Sequence, residues 1–157
     1  MTQKIWKIYL SGEIHTNWRQ QIQDAAQAAS LPVVFSTPVT DHDASDAAGD
    51  GLGPAPQGDG TVRAEGYWRD QQSARVNAIR TRTLIGQADI VVVRFGDKYK
   101  QWNAAFDAGY AAALGKPVIT LHEPALTHAL KEVDAAALAC AQTPEQVAQV
   151  LGYVISV

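Results

Sequence analysis

Cysteine is nearly absent from this chain: Cys140 is the only one. A lone thiol closes no internal disulfide, and nothing in the sequence has the Cys/His spacing of a zinc site, so a reducing compartment is expected. An excess of positive charge is also missing. The formal net charge is −3, which leaves no basic field for the backbone of duplex nucleic acid. A small nucleotide remains compatible, because a few local donors can hold one phosphate. No apolar run approaches the roughly 18 residues of a membrane helix. The opening MTQKIWKIYL is too short and too interrupted for a signal peptide. The expectation is a soluble, cytoplasmic protein, and no internal repeat is visible.

What is present is the balance of a globular domain: 157 residues, 46% apolar and 18% charged. That is enough to bury a core in a single domain over 1–157. Ile5 to Leu10 reads as a short buried strand, followed by polar Ser11-Gly12-Glu13 and a helix from about Asn17 to Ala29. The apolar positions Trp18, Ile22, Ala25, Ala26 and Ala29 fall at helical spacing. Pro32 to Phe35 reads as a second strand. From Thr37 to Gly66 the pattern breaks into an acidic run and a Gly/Pro-rich run, the latter expected to be flexible. A long helix from about Tyr67 to Gln87 follows, with Ala74, Ala78, Ile79 and Leu84 as its inner face.

The clearest strand is the β-branched run Asp89 to Phe95. A small-residue helix from Trp102 to Leu114 is stopped by Gly115-Lys116-Pro117. Pro117 to Leu121 reads as a strand, Ala125 to Lys131 as a short helix, and Ala136 to Cys140 as a fifth strand. Pro144 to Val154 reads as a closing helix capped by Thr143. Strand–helix alternation of this kind predicts an α/β fold, a flavodoxin/Rossmann-like three-layer sandwich. Its five-stranded parallel sheet would have the order 2-1-3-4-5. Ligands of such sheets bind where strand order reverses, outside the strand carboxyl ends. Here that crevice would be lined by Tyr9 to Glu13 and by Arg94 to Asp97.

Two readings fit Asp107, which sits early in the helix after the central strand. It is either a helix-start acid, kept ionised by the helix end, or a fixed carboxylate able to attack an electrophilic carbon or steady an oxocarbenium ion. Arg94 is a charge inside an apolar strand and needs a partner, expected to be Asp107, Asp41 or a ligand anion. Asp97 stands in the adjacent loop. Ser11 and Gly12 offer donors to a sugar or phosphate, or form a plain strand–helix turn. Glu13 and His15 share that loop, where His15 is either an acid–base group or a solvated histidine. Asp41-His42-Asp43 with Asp46 has oxygen and imidazole groups, but its spacing fits no defined metal loop. No metal is expected, and hydrogen bonds to ribose hydroxyls or arginines are the preferred reading. Of Arg80 and Arg82, one is expected to turn inward. Trp68 and Trp102 are candidates for stacking on a base or for packing.

These residues carry a resemblance. Tyr9-Leu10-Ser11-Gly12, Ala88-Asp89-Ile90-Val91-Val92, Phe106-Asp107-Ala108-Gly109-Tyr110-Ala111 and Gly115-Lys116-Pro117-Val118 follow one another as in nucleoside 2-deoxyribosyltransferases and related nucleotide N-glycosidases. YLSGEIHTNWR, PVTDHDASD, NAIRTRTLI and ADIVVVRFGDKYKQWNAAFDAGYAAALGKP resemble the signature blocks of the YtoQ family in that superfamily. The resemblance spans most of the chain apart from the Gly/Pro insertion.

The resemblance implies a carboxylate nucleophile at Asp107, where those enzymes have glutamate, with Tyr9 supporting it. It also implies base contacts from Gln101 and Asn103, although Gln101 stands where transferases often carry aspartate. Ser11, Gly12 and Arg94 would hold sugar or phosphate. No cofactor is implied, the partner is a small nucleoside or nucleotide, and a homo-oligomer is expected. The rival reading is a non-catalytic nucleotide- or sugar-phosphate-binding protein on the same fold. The shorter reach of aspartate favours that rival.

Overall fold

The computed structural model describes residues 3–52, 64–98 and 101–156, with residues 64–66 described by their backbone alone. The described residues group into two compact units: residues up to Thr37 together with Ile85 onward, and Pro38–Leu84.

The first unit is built on a parallel sheet. Its strands are β1 (Trp6–Gly12), β2 (Val33–Ser36), β3 (Ile90–Arg94), β4 (Val118–Leu121) and β5 (Ala139–Ala141), in the expected order β2-β1-β3-β4-β5. Registers such as Ile8 with Ile90 and Val92 with Ile119 align the strand carboxyl ends on one edge. Side chains alternate across a strand, so each face has its own partners. Ile8, Leu10, Ile90, Val92, Ile119 and Leu121 form the face whose buried cluster includes Trp18 and Ile22 of helix α1 (Trp18–Ala28). The closing helix (Pro144–Ile155) adds Val147, Leu151 and Ile155 to the same cluster. Thr143 caps it, accepting a hydrogen bond from the Gln146 N–H at 3.3 Å.

On the opposite face lie Tyr9 and Ser11 of β1. Here the helix Trp102–Ala113 packs on β1, β3 and β4. Its buried residues are Ala104, Ala108 and Ala111. Three alanines leave no bulk between helix and sheet, so the helix backbone comes down close to the strands. The helix ends in a Schellman turn: Gly115 adopts φ +71, the Lys116 N–H bonds Ala111 and the Gly115 N–H bonds Ala112. Lys116 then folds back, its ammonium donating to the carbonyls of Gly86 and Ala88 at 2.7 and 2.9 Å.

The second unit lies where an irregular segment was expected. It contains helix α2 (His42–Asp46), a 3₁₀ turn at Asp50–Leu52 and most of helix α3 (Ala64–Gln87). In chain order the helix over the three alanines is α4, the helix Lys131–Ala136 is α5 and the closing helix is α6. Of the Gly/Pro-rich run expected to be flexible, 53–60 falls outside the described residues.

The expected inner face of α3 is not the observed one: Ile79 is 70% exposed, while Gln72 and Ser73 are buried. The α2 segment explains this, because it docks on α3 through polar groups. Ser73 donates to the Asp46 carbonyl at 2.6 Å and accepts from the Gly49 N–H at 3.2 Å. Asn77 donates to the Ser45 carbonyl and hydroxyl at 3.0 and 3.1 Å. Gly49 comes so near that an added Cβ would sit 2.6 Å from the Ser73 nitrogen.

Several boundaries differ from expectation. β1 runs on through Ser11 and Gly12, so these are strand residues rather than loop residues. β5 begins at Ala139, not Ala136. The short helix begins at Lys131 rather than Ala125, after a 3₁₀ turn at Pro124–Leu126. That placement puts Asp134 against Thr120 and His122, a pairing that no local periodicity encodes.

Candidate functional site

The carboxyl edge of β1 and β3 gathers most of the polar residues in question. Ser11 is 1% exposed, and its hydroxyl donates to Asp107 Oδ2 at 2.6 Å. The Asp107 carboxyl is half-buried on α4. Burial pushes its pKa above the ordinary carboxylate value, and the Ser11 hydrogen bond pulls it partly back. Burial, rather than the expected pull of the helix start toward the ionised form, is the leading influence on Asp107. α4 begins at Trp102, which puts Asp107 in the second turn, and helix-end charge fades within the first. Tyr9 is wholly buried and lies two residues before Ser11, on the same face of β1.

Glu13 was a candidate ligand group; the structure makes it an internal anchor. It is 4% exposed. One carboxylate oxygen accepts from the His15 N–H, and the other accepts from the Thr16 hydroxyl at 2.6 Å. Burial pushes its pKa up, but these hydrogen bonds and the charge of Arg94 outweigh it, so the carboxyl titrates below its usual value. Two glycines make room. Gly12 has φ +103, and a Cβ there would lie 2.0 Å from the Arg94 carbonyl oxygen. A Cβ on Gly96 would meet Glu13 Cγ at 2.6 Å. No side chain fits either position.

Arg94 closes β3. Its Nε lies 3.6 Å from Glu13 Oε2, so its charge partner is Glu13 rather than the expected Asp107 or Asp41.

Arg19 was not anticipated. It is 9% exposed, and its guanidinium donates to the carbonyls of Leu10, Glu13 and Gly12 at 3.0, 2.7 and 3.0 Å. Burial lowers its pKa to about 10, against the raising effect of Glu13 and Tyr9, which still leaves it charged at neutral pH. The Trp18 indole N–H adds a bond to the Glu13 carbonyl at 2.8 Å. The turn from β1 to α1 is thus tied from both sides. The only sequence signal was a cation in the first turn beside a core tryptophan.

A second unanticipated cluster stands past β4. His122, 4% exposed, has Nδ1 2.8 Å from the Glu123 carbonyl and Nε2 3.0 Å from Asp134 Oδ2. The buried Thr120 hydroxyl donates to Asp134 Oδ1 at 2.8 Å. These contacts fasten α5 to β4.

The remaining candidates are dispersed. His15, Asp97 and Asn103 are exposed. Gln101 precedes α4 and spends its amide on the Lys98 carbonyl at 2.8 Å. Trp102 is 73% exposed. Asp41 and His42 lie in the second unit, where Asp41 caps α2 by accepting from the Ala44 N–H at 2.8 Å and His42 is exposed. Arg80 and Arg82 are both exposed. Trp68 has a buried indole nitrogen, with Arg75 5.8 Å from the ring centre. Among the described residues no group of three His, Cys, Asp or Glu side chains is placed to hold a metal, and no helix is long and apolar enough to cross a membrane.

Comparison with known proteins places this geometry. The fold resembles that of a conserved protein from Enterococcus faecalis V583, with TM-score 0.61 at 13% identity, covering 96% of this chain and 99% of that one. It also resembles a 2-deoxyribosyltransferase of Bacillus psychrosaccharolyticus, with TM-score 0.51, 17% identity and 90% of each chain covered. In sequence, the chain is 39% identical to the uncharacterized protein YtoQ of Bacillus subtilis (strain 168) over 146 residues, which is 93% of this chain and 94% of that protein. The family model described as Nucleoside 2-deoxyribosyltransferase YtoQ matches residues 9–155, and the chain belongs to that family.

Proposed function

We propose that this protein acts on the N-glycosidic bond of a nucleoside or nucleotide, with Asp107 as the attacking carboxylate. The observation that carries the reading is the Ser11–Asp107 contact at 2.6 Å, which holds a half-buried carboxylate beside the carboxyl end of β1. Asp107 in its ionised form would bond the anomeric carbon as the bond to the base breaks and the electron pair leaves with the base. Water or a second base would then take the sugar from Asp107. Ser11 orients the carboxylate, and the buried Tyr9 on the same face of β1 supports it from below. Aspartate is one methylene shorter than the glutamate of the enzymes this chain resembles. The alanine face of α4 answers that difference by seating the helix close to the sheet. Family membership supports the substrate class, and the same reading has the protein working as a cytoplasmic homo-oligomer.

The test is chromatographic detection of free base from a panel of nucleosides and nucleotides. Asp107→Ala is expected to cut release by about 10³-fold or more, as loss of a nucleophile does. Release that survives the substitution refutes the assignment. The short reach of Asp107 favours one second reading, a binding protein without turnover. Ligand stabilisation with no base release identifies it.

A further inference from the structure

The guanidinium of Arg94 is held in place, but its Nε donor is unspent among the described residues. Arg94 Nε is buried and makes no hydrogen bond among the described residues. Its charge contact is Glu13 at 3.6 Å, beyond hydrogen-bonding reach, and the Glu13 carboxylate already takes donors from His15 and Thr16. Glu13 therefore fixes the cation by charge and leaves its donors over. The side chain keeps 15% of its surface exposed, so the group is not sealed in the core. A largely enclosed guanidinium whose Nε has no acceptor among the described residues is costly unless something arrives to use it. Gly12 and Gly96, each barred from carrying a Cβ, let the Arg94 backbone and the Glu13 side chain pack close at this corner.

Alternation along β3 puts Arg94 on the side of Val92, while Ser11 and Asp107 lie on the other face of the sheet. Neighbouring strands are about 4.8 Å apart, and Gly12 of β1 stands opposite Arg94 in the register. A ligand that reaches both Asp107 and Arg94 must lie across the carboxyl ends of β1 and β3. Its reactive carbon would be at one end and its acceptor for the guanidinium at the other.

Resting on the reading of the crevice as a nucleoside site, we infer that Arg94 is an anion subsite and that the ligand carries a phosphomonoester. The substrate class is then nucleotides rather than uncharged nucleosides. A planar fork of donors matches two phosphate oxygens at once, whereas a single sugar hydroxyl would engage only one of those donors.

Calorimetric titration of the full chain tests this, with nucleosides, their 5′-monophosphates and inorganic phosphate as probes, on the wild type, Arg94→Gln and Arg94→Lys. The wild type is expected to bind a monophosphate at least about tenfold more tightly than its parent nucleoside. Arg94→Gln should abolish that preference. Arg94→Lys keeps the charge beside Glu13 and guards against a folding defect; it should retain part of the preference. Equal affinity for nucleoside and monophosphate in the wild type overturns the inference, as does a preference that survives Arg94→Gln. If no base-bearing ligand binds but inorganic phosphate binds the wild type and not Arg94→Gln, the subsite stands and the nucleoside reading falls. If no probe binds, both fall.

Discussion

The sheet unit and the 38–84 unit are stabilised by different means. In the first, strands and helices meet through fully buried apolar side chains, among them Ile8, Leu10, Ile22, Val92 and Leu151. In the second, the buried residues of α3 include Gln72 and Ser73, Ile79 faces outward, and the α2 segment is held by hydroxyl, amide and carbonyl groups. Apolar burial is non-directional and scales with area, so it tolerates small shifts. Polar docking needs each donor to meet its acceptor, and one missing partner leaves another group buried and unpaired. The sheet is a scaffold of the first kind, and its polar carboxyl edge is a patch of the second kind built upon it.

Truncation at the centre of each unit sharpens this contrast most. Leu151→Ala, which empties a wholly buried position, is expected to cost about 2–5 kcal/mol in denaturant unfolding. Ser73→Ala removes far less volume but strands the Gly49 N–H and the Asp46 carbonyl. It should cost about 1–3 kcal/mol and show as faster amide exchange at Gly49. A Ser73→Ala cost near zero would break the contrast, since the polar docking would then contribute nothing.

The smallest effect concerns pH. The folded Asp107 carboxyl holds its proton to a higher pH than it would in the unfolded chain. As pH rises from the ordinary carboxylate value through the raised one, the unfolded chain ionises first, and stability is lost across that window. Asp50, exposed and paired with Arg69 in the second unit, has a lowered pKa and the opposite sign: its contribution is lost as pH falls. Asp107→Asn should flatten the decline on the higher-pH side and raise the melting temperature at neutral pH. The scale is about 2–4 °C for each kcal/mol relieved. A melting temperature that falls instead would mean that the ionised Asp107 is stabilised rather than strained.

Much of the architecture was legible in the chain. The β-branched run at 90–94, the alternation of short strands with helices, and the Gly115-Lys116-Pro117 stop each report a local preference, and they led to the observed strand order. Asp107 and Ser11 were both legible as chemically placed residues, although their direct contact was not. Three readings went astray for one reason. Glu13 looked like a ligand group, the inner face of α3 was assigned by its apolar residues, and Arg19 passed unnoticed. In each case the outcome depended on which distant backbone or side-chain group supplied the missing hydrogen bond.

Periods of two and of 3.6 residues are set by bonded geometry a few residues long, so the sequence alone determined the elements of the sheet unit and their order. Ser11 and Asp107 are 96 positions apart, and the Arg94–Glu13 and His122–Asp134 pairs likewise join separate elements. Whether a carboxylate is buried, and which donor it meets, depends on dielectric surroundings and distances that exist only once the strands and helices have packed. The tertiary structure therefore decided the direction in which the Asp107 pKa moves, the anchoring of Glu13 and the placing of the Arg94 guanidinium beside it.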